Sequence, residues 1–290
     1  MTKQEQNKQL VIASDIGGTH ITAALVDVGN WQIINESATR YPVNSHADAK
    51  TILSAWAAPF NEVVANHPDI SSPVIGIAMP GPFDYENGIS LMRNQDKYDN
   101  LYGMDIRHEL AERIGIDGAN IRFINDAAAF LQGEVFAGKH NGHAKILGIT
   151  LGTGLGSAIW EKGSNAVDAD LWKTPYLDSN MEEHLVTRWF VRRTAQYGIK
   201  VTGLRELLQL RDQHAFVANI LAEYSHHLLQ FLAFFSEKEK TDKFIIGGNI
   251  SRAWDIFRGF NPEEFARFDI RISQLGEDAA LIGAAALFAS

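Results

Sequence analysis

Along this chain the apolar positions change period several times, and each change marks an element. Residues 9–14 form a short apolar block and "HITAALVDV" (20–28) alternates, so both read as strands, paired through a turn at Gly17 and Gly18. "WQIINESATR" (31–40) predicts a third strand. Over 46–67 the spacing becomes helical, with Ile52, Leu53, Trp56, Phe60, Val63 and Val64 on a face suited to cover a sheet, and with Pro59 expected to kink it. "SPVIGIAMPGPFD" (72–84) predicts a buried strand running into a Gly and Pro loop. "NIRFINDAAAFLQGEVFAG" (120–138) predicts a strand that passes through Asn125 and Asp126 into a helix. Both arrangements put polar chemistry at the carboxyl end of a strand.

The opening pattern then recurs. "ILGITLGTGLGSAIW" (146–160) is again a β run, a Gly and Thr turn and a second β run. Aligned at the turn, Asp15, Gly17, Gly18 and Thr19 meet Thr150, Gly152, Thr153 and Gly154, and Val11 meets Ile146, as an internal duplication requires. Only the first copy has the carboxylate. Most of the remainder reads as helix, over 181–197, 204–211, 213–236 and 249–258, interrupted by a strand "KFIIGG" and ending in the apolar helix of "GEDAALIGAAALFA". With no low-complexity linker between the halves, the expectation is two packed α/β lobes with a cleft between them. The N-terminal lobe is expected over 1–125, with the C-terminal helix 276–290 packing back onto it, and the C-terminal lobe over 126–275.

Length and composition narrow the class. At 290 residues and 46% hydrophobic content the chain is long enough to bury a substantial core. It has no cysteine, which excludes disulfides and thiolate metal sites. The start "MTKQEQNKQL" lacks the apolar stretch of a signal peptide, and no segment reaches the roughly 18 continuous apolar residues of a membrane span, so a cytoplasmic location is expected. With 26 basic against 35 acidic residues and a formal charge of −9, no broad attraction to nucleic acid or anionic lipid is expected, and any phosphate must be held locally.

The glycine turns are where such a phosphate fits. Gly17 and Gly18 let backbone N–H groups approach an oxyanion, and the Thr19 hydroxyl adds a donor. Asp15 would repel that phosphate unless Mg²⁺ or its bound water lies between them, which makes Asp15 a candidate magnesium ligand, directly or through water. An ordinary Gly-Gly hairpin is the competing reading of one copy, and two matched copies argue against it. Asp126, at a strand-to-helix junction, is a candidate general base for a hydroxyl attacking a phosphoryl group, with a simple helix cap as the alternative. Asn125 beside it offers a second polar side chain to hold a substrate hydroxyl. Gly247 and Gly248 would let a flat base lie against backbone, or only end a strand before a helix. His140, His143, His226 and His227 form no metal triad with acids and read as surface or packing residues. "EKEKTD" reads as a charged turn, and Trp189, Phe190, Phe231, Phe234 and Phe235 as core or a subunit interface.

Taken in order, "DIGGTH", "AMPGPFD", "INDAAAF", "LGTGLGSAI", "IIGGNIS" and "GEDAALIGAA" resemble the ROK family of bacterial sugar kinases and sugar-responsive repressors, within the actin-like ATPase superfamily, nearly end to end. The resemblance implies a two-lobed α/β, ribonuclease H-like fold with duplicated β-hairpin phosphate loops facing an interlobe cleft. It implies ATP with Mg²⁺, held by Asp15, Gly17, Gly18, Thr19, Gly152, Thr153, Gly154, Gly247 and Gly248. Asp126 would be the catalytic base, with Gly81 (through its backbone), Asn94, Asn125 and Glu182 also on the sugar side.

Two departures from the family pattern stand out. Without cysteine the chain lacks the means to build the zinc cluster of many ROK members, and Asp170 and Lys173 stand where a glutamate and a histidine would be. The expected activity is glucokinase-like phosphorylation of a hexose. An N-acetylhexosamine kinase, acting on N-acetylmannosamine or N-acetylglucosamine, and a non-catalytic sugar sensor are the alternatives. A DNA-binding repressor is disfavoured, since fewer than ten residues precede the first strand. The resemblance and the aromatic helix over 213–236 are compatible with a homodimer, and burial of that helix within one subunit is the alternative.

Overall fold

The computed structural model describes residues 9–95 and 97–289. These form two compact units. One takes the chain through Gly142 together with Asn165–Val167 and the segment from Glu277 onward; the other comprises His143–Ser164 and Asp168–Gly276.

In the first unit, β1 (Leu10–Ile16), β2 (His20–Asp27) and β3 (Gln32–Pro42) form an antiparallel meander. Then come α1 (Ala49–Asn66), β4 (Ile75–Met79), the small hairpin of β5 (Phe83–Asp84) and β6 (Ile89–Ser90), and α2 (Ile106–Ile114). The main sheet closes with β7 (Ile121–Asn125), followed by α3 (Asp126–Ala137). Its order is β3-β2-β1-β4-β7, with β4 parallel to both β1 and β7. Asp48 caps α1 by accepting from the Thr51 amide, and the helix runs unbroken through the buried Pro59. Its predicted apolar face, from Leu53 through Trp56 to Phe60, is fully buried with Ile12, Ile21, Ile77 and Met79 in one core.

The second unit repeats the plan. β8 (Lys145–Leu151) and β9 (Leu155–Glu161) form the second hairpin, and β10 (Val167–Asp168) lies beside β9. A two-stranded ribbon of β11 (Pro175–Tyr176) and β12 (Ser179–Asn180) precedes α4 (Met181–Leu185), α5 (Thr187–Ala195), α6 (Leu204–Gln209) and α7 (Phe216–Glu239). Then follow β13 (Lys243–Gly247), α8 (Trp254–Phe260), α9 (Pro262–Phe265) and β14 (Asp269–Ile272). The sheet order β10-β9-β8-β13-β14, with β13 parallel to β8 and β14, matches the first sheet strand for strand. Trp189, Phe190, Phe231 and Phe235 are core here, whereas Phe234 is 37% exposed.

The last helix, α10 (Asp278–Ala285), belongs to the first unit, where it packs on β1, β4 and α3. Glycines permit that approach: a Cβ at Gly133 would lie 2.0 Å from the Ala279 carbonyl, and one at Gly283 1.8 Å from the Ala129 carbonyl. α3 therefore lies in the first unit, whereas a division at 125 and 126 would put it in the second. Two other expectations differ from the structure. The helix expected over 181–197 is broken at the extended Val186, where α5 turns to meet the β8–β9 turn. "EKEKTD" is not simply a turn: α7 continues to Glu239, whose carboxylate pairs with Lys145, and the left-handed Lys240 ends it.

Candidate functional site

Register sets the geometry of the first unit. Asp15 of β1 lies opposite Ala78 of β4, which lies opposite Ile124 of β7. Two strand spacings, about 10 Å, thus separate Asp15 from the end of β7. The β1–β2 turn, the loop after Met79 and the start of α3 all leave the sheet at this edge.

At that edge the two adjacent polar residues divide their tasks. Asn125 is the N-cap of α3: its Oδ1 accepts from the amides of Ala127 (2.9 Å) and Ala128 (3.1 Å), and its Nδ2 donates to the Tyr85 hydroxyl at 3.2 Å. Tyr85 in turn donates to the Met79 carbonyl at 3.2 Å, and a Cβ on Gly81 would come within 3.3 Å of that same hydroxyl oxygen. Asn125, expected on the sugar side, is therefore buried and occupied in capping. Asp126 is exposed; its Oδ1 accepts from the Ala127 amide at 2.8 Å, and its Oδ2 has no donor among the described residues.

Asp15 is only partly exposed, and its pKa is raised from 3.8 to about 7. Burial is the largest cause, the carboxylates of Asp126 and Glu277 add to it, and Arg40 opposes it. Arg40 also pairs with the exposed Glu277 at 3.5 Å. A carboxylate whose charged neighbours are more negative than positive suits a hard cation. Among the described residues no group of three or more His, Asp or Glu side chains is placed to hold a metal. An ion at Asp15 would therefore complete its shell from water and phosphate, as Mg²⁺ does.

The glycines at the candidate site fall into two kinds. A Cβ on Gly18 or Gly152 would meet nothing within 4 Å, and neither residue has a left-handed φ. Neither backbone strain nor internal packing requires glycine there, and the open backbone leaves room for a ligand to approach the amides. Gly248 is the opposite case, since its φ is +86° and a Cβ would lie 2.3 Å from the Leu151 carbonyl. The fold itself demands that glycine, while Gly247 ends β13 buried and opposite Thr150. The turns are not identical: Gly17–His20 lie between the closing pair Ile16 and Ile21, but only Gly152–Gly154 between Leu151 and Leu155. The Thr19 hydroxyl is exposed and shares a 3.0 Å hydrogen bond with His20 Nδ1, and Thr153 is exposed as well.

Behind the second turn stands an ionic cluster that the sequence did not reveal. Glu182 accepts from the Leu155 amide at 3.0 Å and from Arg188 at 2.7 Å, so both of its oxygens are engaged on the turn and its neighbour. Arg188 also donates to the Thr153 carbonyl at 3.2 Å and to Glu183. The Arg188 hydrogen bonds, with help from Arg192, bring the Glu183 pKa down to about 2 against the opposing effect of burial. Thr187, Arg188, Tyr85 and Tyr98 carried no motif and emerge only from long-range pairing.

The remaining candidates are dispersed. Asn94 is exposed, with φ +57°, on the loop leading to Tyr98. Asp170 and Lys173 pair with each other at 2.5 Å on the surface. His226 is exposed, whereas His227 is buried and its pKa falls to about 4, through burial first and then the nearby His184.

This fold recurs in known proteins. The glucokinase of Thermotoga maritima is 25% identical to this chain over 97% of both sequences. The N-acetyl-D-glucosamine kinase of Histophilus somni is 29% identical over 50% of this chain and 44% of its own length. The crystal structure of a ROK family glucokinase from Streptomyces griseus, in complex with glucose and AMPPNP, superposes with a TM-score of 0.72 at 23% identity over 96% of this chain and 98% of that one. The fold is accordingly the two-sheet α/β fold of ROK sugar kinases, consistent with the actin-like ATPase fold. The model of the ROK family matches residues 11–166, more than half of the sequence, and the chain belongs to that family.

Proposed function

We propose that this ROK sugar kinase transfers the γ-phosphoryl group of ATP to a hydroxyl of a hexose, with Asp126 as general base. The observation that carries the reading is the exposed Asp126 carboxylate, freed from capping by Asn125, at the same strand edge as Asp15 and the open Gly17–Thr19 turn. Its carboxylate accepts the hydroxyl proton as the sugar oxygen attacks phosphorus. The amides of the two glycine turns bind phosphate oxygens, and Asp15 holds Mg²⁺ directly or through water. Bound there, the ion would neutralise charge on the phosphates. Asn94 and the backbone at Gly81 serve the sugar side. Glu182 supports the second turn and, through it, the nucleotide, while Gly247 and Gly248 border the base.

A hexose is the favoured acceptor because a relative matched over nearly the full length is a glucokinase. The N-acetyl-D-glucosamine kinase similarity supports an acetylated amino sugar as the second reading.

The test is ADP release from Mg-ATP with glucose, mannose, fructose, allose, N-acetylglucosamine and N-acetylmannosamine. The expected result is release that depends on one class of sugar, is abolished by EDTA and is lost in Asp126→Asn. Full turnover by that variant would remove Asp126 as the base. Sugar binding without any release would favour a sensor.

A further inference from the structure

The two glycine turns share a contact that the internal alignment makes meaningful. The Tyr98 hydroxyl donates to the Gly17 carbonyl at 2.5 Å, across 81 residues. The Thr187 hydroxyl donates to the Gly152 carbonyl at 2.9 Å, and the Thr187 amide donates to the same oxygen at 2.8 Å. Gly17 and Gly152 are the matched positions of the duplicated hairpins, yet the two donors come from unrelated elements: a loop before a 3-10 turn in one unit, the first residue of α5 in the other.

The consequence follows from peptide geometry. A trans peptide is planar, and its C=O and N–H point in opposite directions. Holding the Gly17 carbonyl from behind aims the Gly18 amide forward, and holding the Gly152 carbonyl aims the Thr153 amide forward. Among the described residues neither amide has an acceptor. Each turn also folds back on itself, Gly17 N–H donating to the His20 carbonyl three residues on and Gly152 N–H to the Gly154 carbonyl two residues on. A glycine peptide turns over readily because no Cβ resists it, so without the Tyr98 hydroxyl the Gly18 amide would swing between orientations, while at Gly152 the Thr187 hydroxyl adds to the hold of the Thr187 amide.

The cost of placing these donors indicates that the contact is built. Tyr98 is fully buried against the edge of Trp56, with ring centroids 5.0 Å apart, and keeps a left-handed φ of +60°. Such a backbone persists in a non-glycine residue only where its surroundings over-determine it. Thr187 reaches its carbonyl because the chain breaks from helix at Val186.

We infer that Tyr98 and Thr187 are positioning residues for phosphate: each locks the leading peptide of its turn so that one amide is presented to a phosphoryl oxygen of the nucleotide. This rests on the kinase reading of the same turns. It also explains why the turns tolerate open glycines without losing their shape, and why two different hydroxyl residues arrive at one aligned position.

The test is calorimetric binding of AMPPNP with Mg²⁺ to the full chain and to Tyr98→Phe, Thr187→Val and Thr187→Ser. Loss of the oriented hydrogen bond should weaken binding about tenfold in Tyr98→Phe and about threefold in Thr187→Val, where the backbone amide still holds the Gly152 carbonyl. Thr187→Ser should bind as the parent does, and the thermal midpoints without nucleotide should stay close to it. Unchanged affinity in the first two variants, or failure of serine to restore it, overturns the inference even if the parent phosphorylates sugar. If Tyr98→Phe does not fold, the Thr187 pair decides alone. A parent that binds the nucleotide with this dependence but transfers no phosphate would retain the lock and overturn the kinase reading; a parent that does not bind it overturns both.

Discussion

Asn125 caps α3 with its side-chain oxygen, at 2.9 and 3.1 Å from the amides of Ala127 and Ala128, and so leaves the adjacent Asp126 exposed at the first helical residue. One residue satisfies the helix end while the next is available for chemistry. The two tasks can be separated by mutation.

Asp126→Asn removes the proton acceptor but keeps the shape. Turnover should fall by at least about a hundredfold, the lower end of what a general base contributes. The thermal midpoint and sugar affinity should stay near the parent values. Steady-state kinetics and a melting curve on the same sample check this.

Asn125→Ala should do the reverse in kind. Losing the cap and the link to Tyr85 costs about 1 kcal/mol of stability, as typical cap deletions do. Chemical denaturation measures it, and a midpoint unchanged in denaturant would show that the cap is not needed.

Asp15 makes stability depend on pH. Its folded-state pKa of about 7 lies above the ordinary 3.8, so the folded chain binds this proton more tightly than the unfolded one. That contribution is complete below about pH 4 and is lost as pH rises through about 7. Asp15→Asn should therefore melt higher than the parent at pH 8, with the margin shrinking toward pH 5, while losing Mg-ATP-dependent turnover. Equal margins at both pH values would contradict the burial of this carboxylate.

Glycines in the two settings should respond differently to alanine. Gly283→Ala drives a methyl into the Ala129 carbonyl, a backbone clash between α10 and α3, and should destabilise by more than about 3 kcal/mol. Gly18→Ala meets open space and should leave the melting curve unchanged while weakening Mg-ATP binding. Melting curves with and without nucleotide distinguish the two.

Much of this was legible in one dimension. The strand and helix periods of β1, β2, α1 and α3, and the duplication that aligns Gly17 with Gly152, come from local apolar spacing, which burial on one face imposes residue by residue. α2 is bounded by local signals rather than by a long apolar period: Asp105 caps it and Gly115, left-handed at φ +78°, ends it. β14 is a short edge strand whose identity depends on pairing with β13, and four residues give no usable period.

The sequence by itself determined β1, β2, α1 and α3, the repeated hairpins and the candidacy of Asp15 and Asp126, because turn chemistry and amphipathic spacing act over a few residues. Only the tertiary structure decided that Asn125 is the cap, that Glu182 is committed to Leu155 and Arg188, and that Tyr98 and Thr187 hold the turns. The Glu182–Leu155, Thr187–Gly152 and Tyr98–Gly17 contacts join donor and acceptor across 27 to 81 residues, while the Asn125 cap is local and was one of two adjacent candidates, Asn125 and Asp126, that only the folded helix end tells apart. Hydrogen bonding at that range is set by packing, and it leaves no period in the chain.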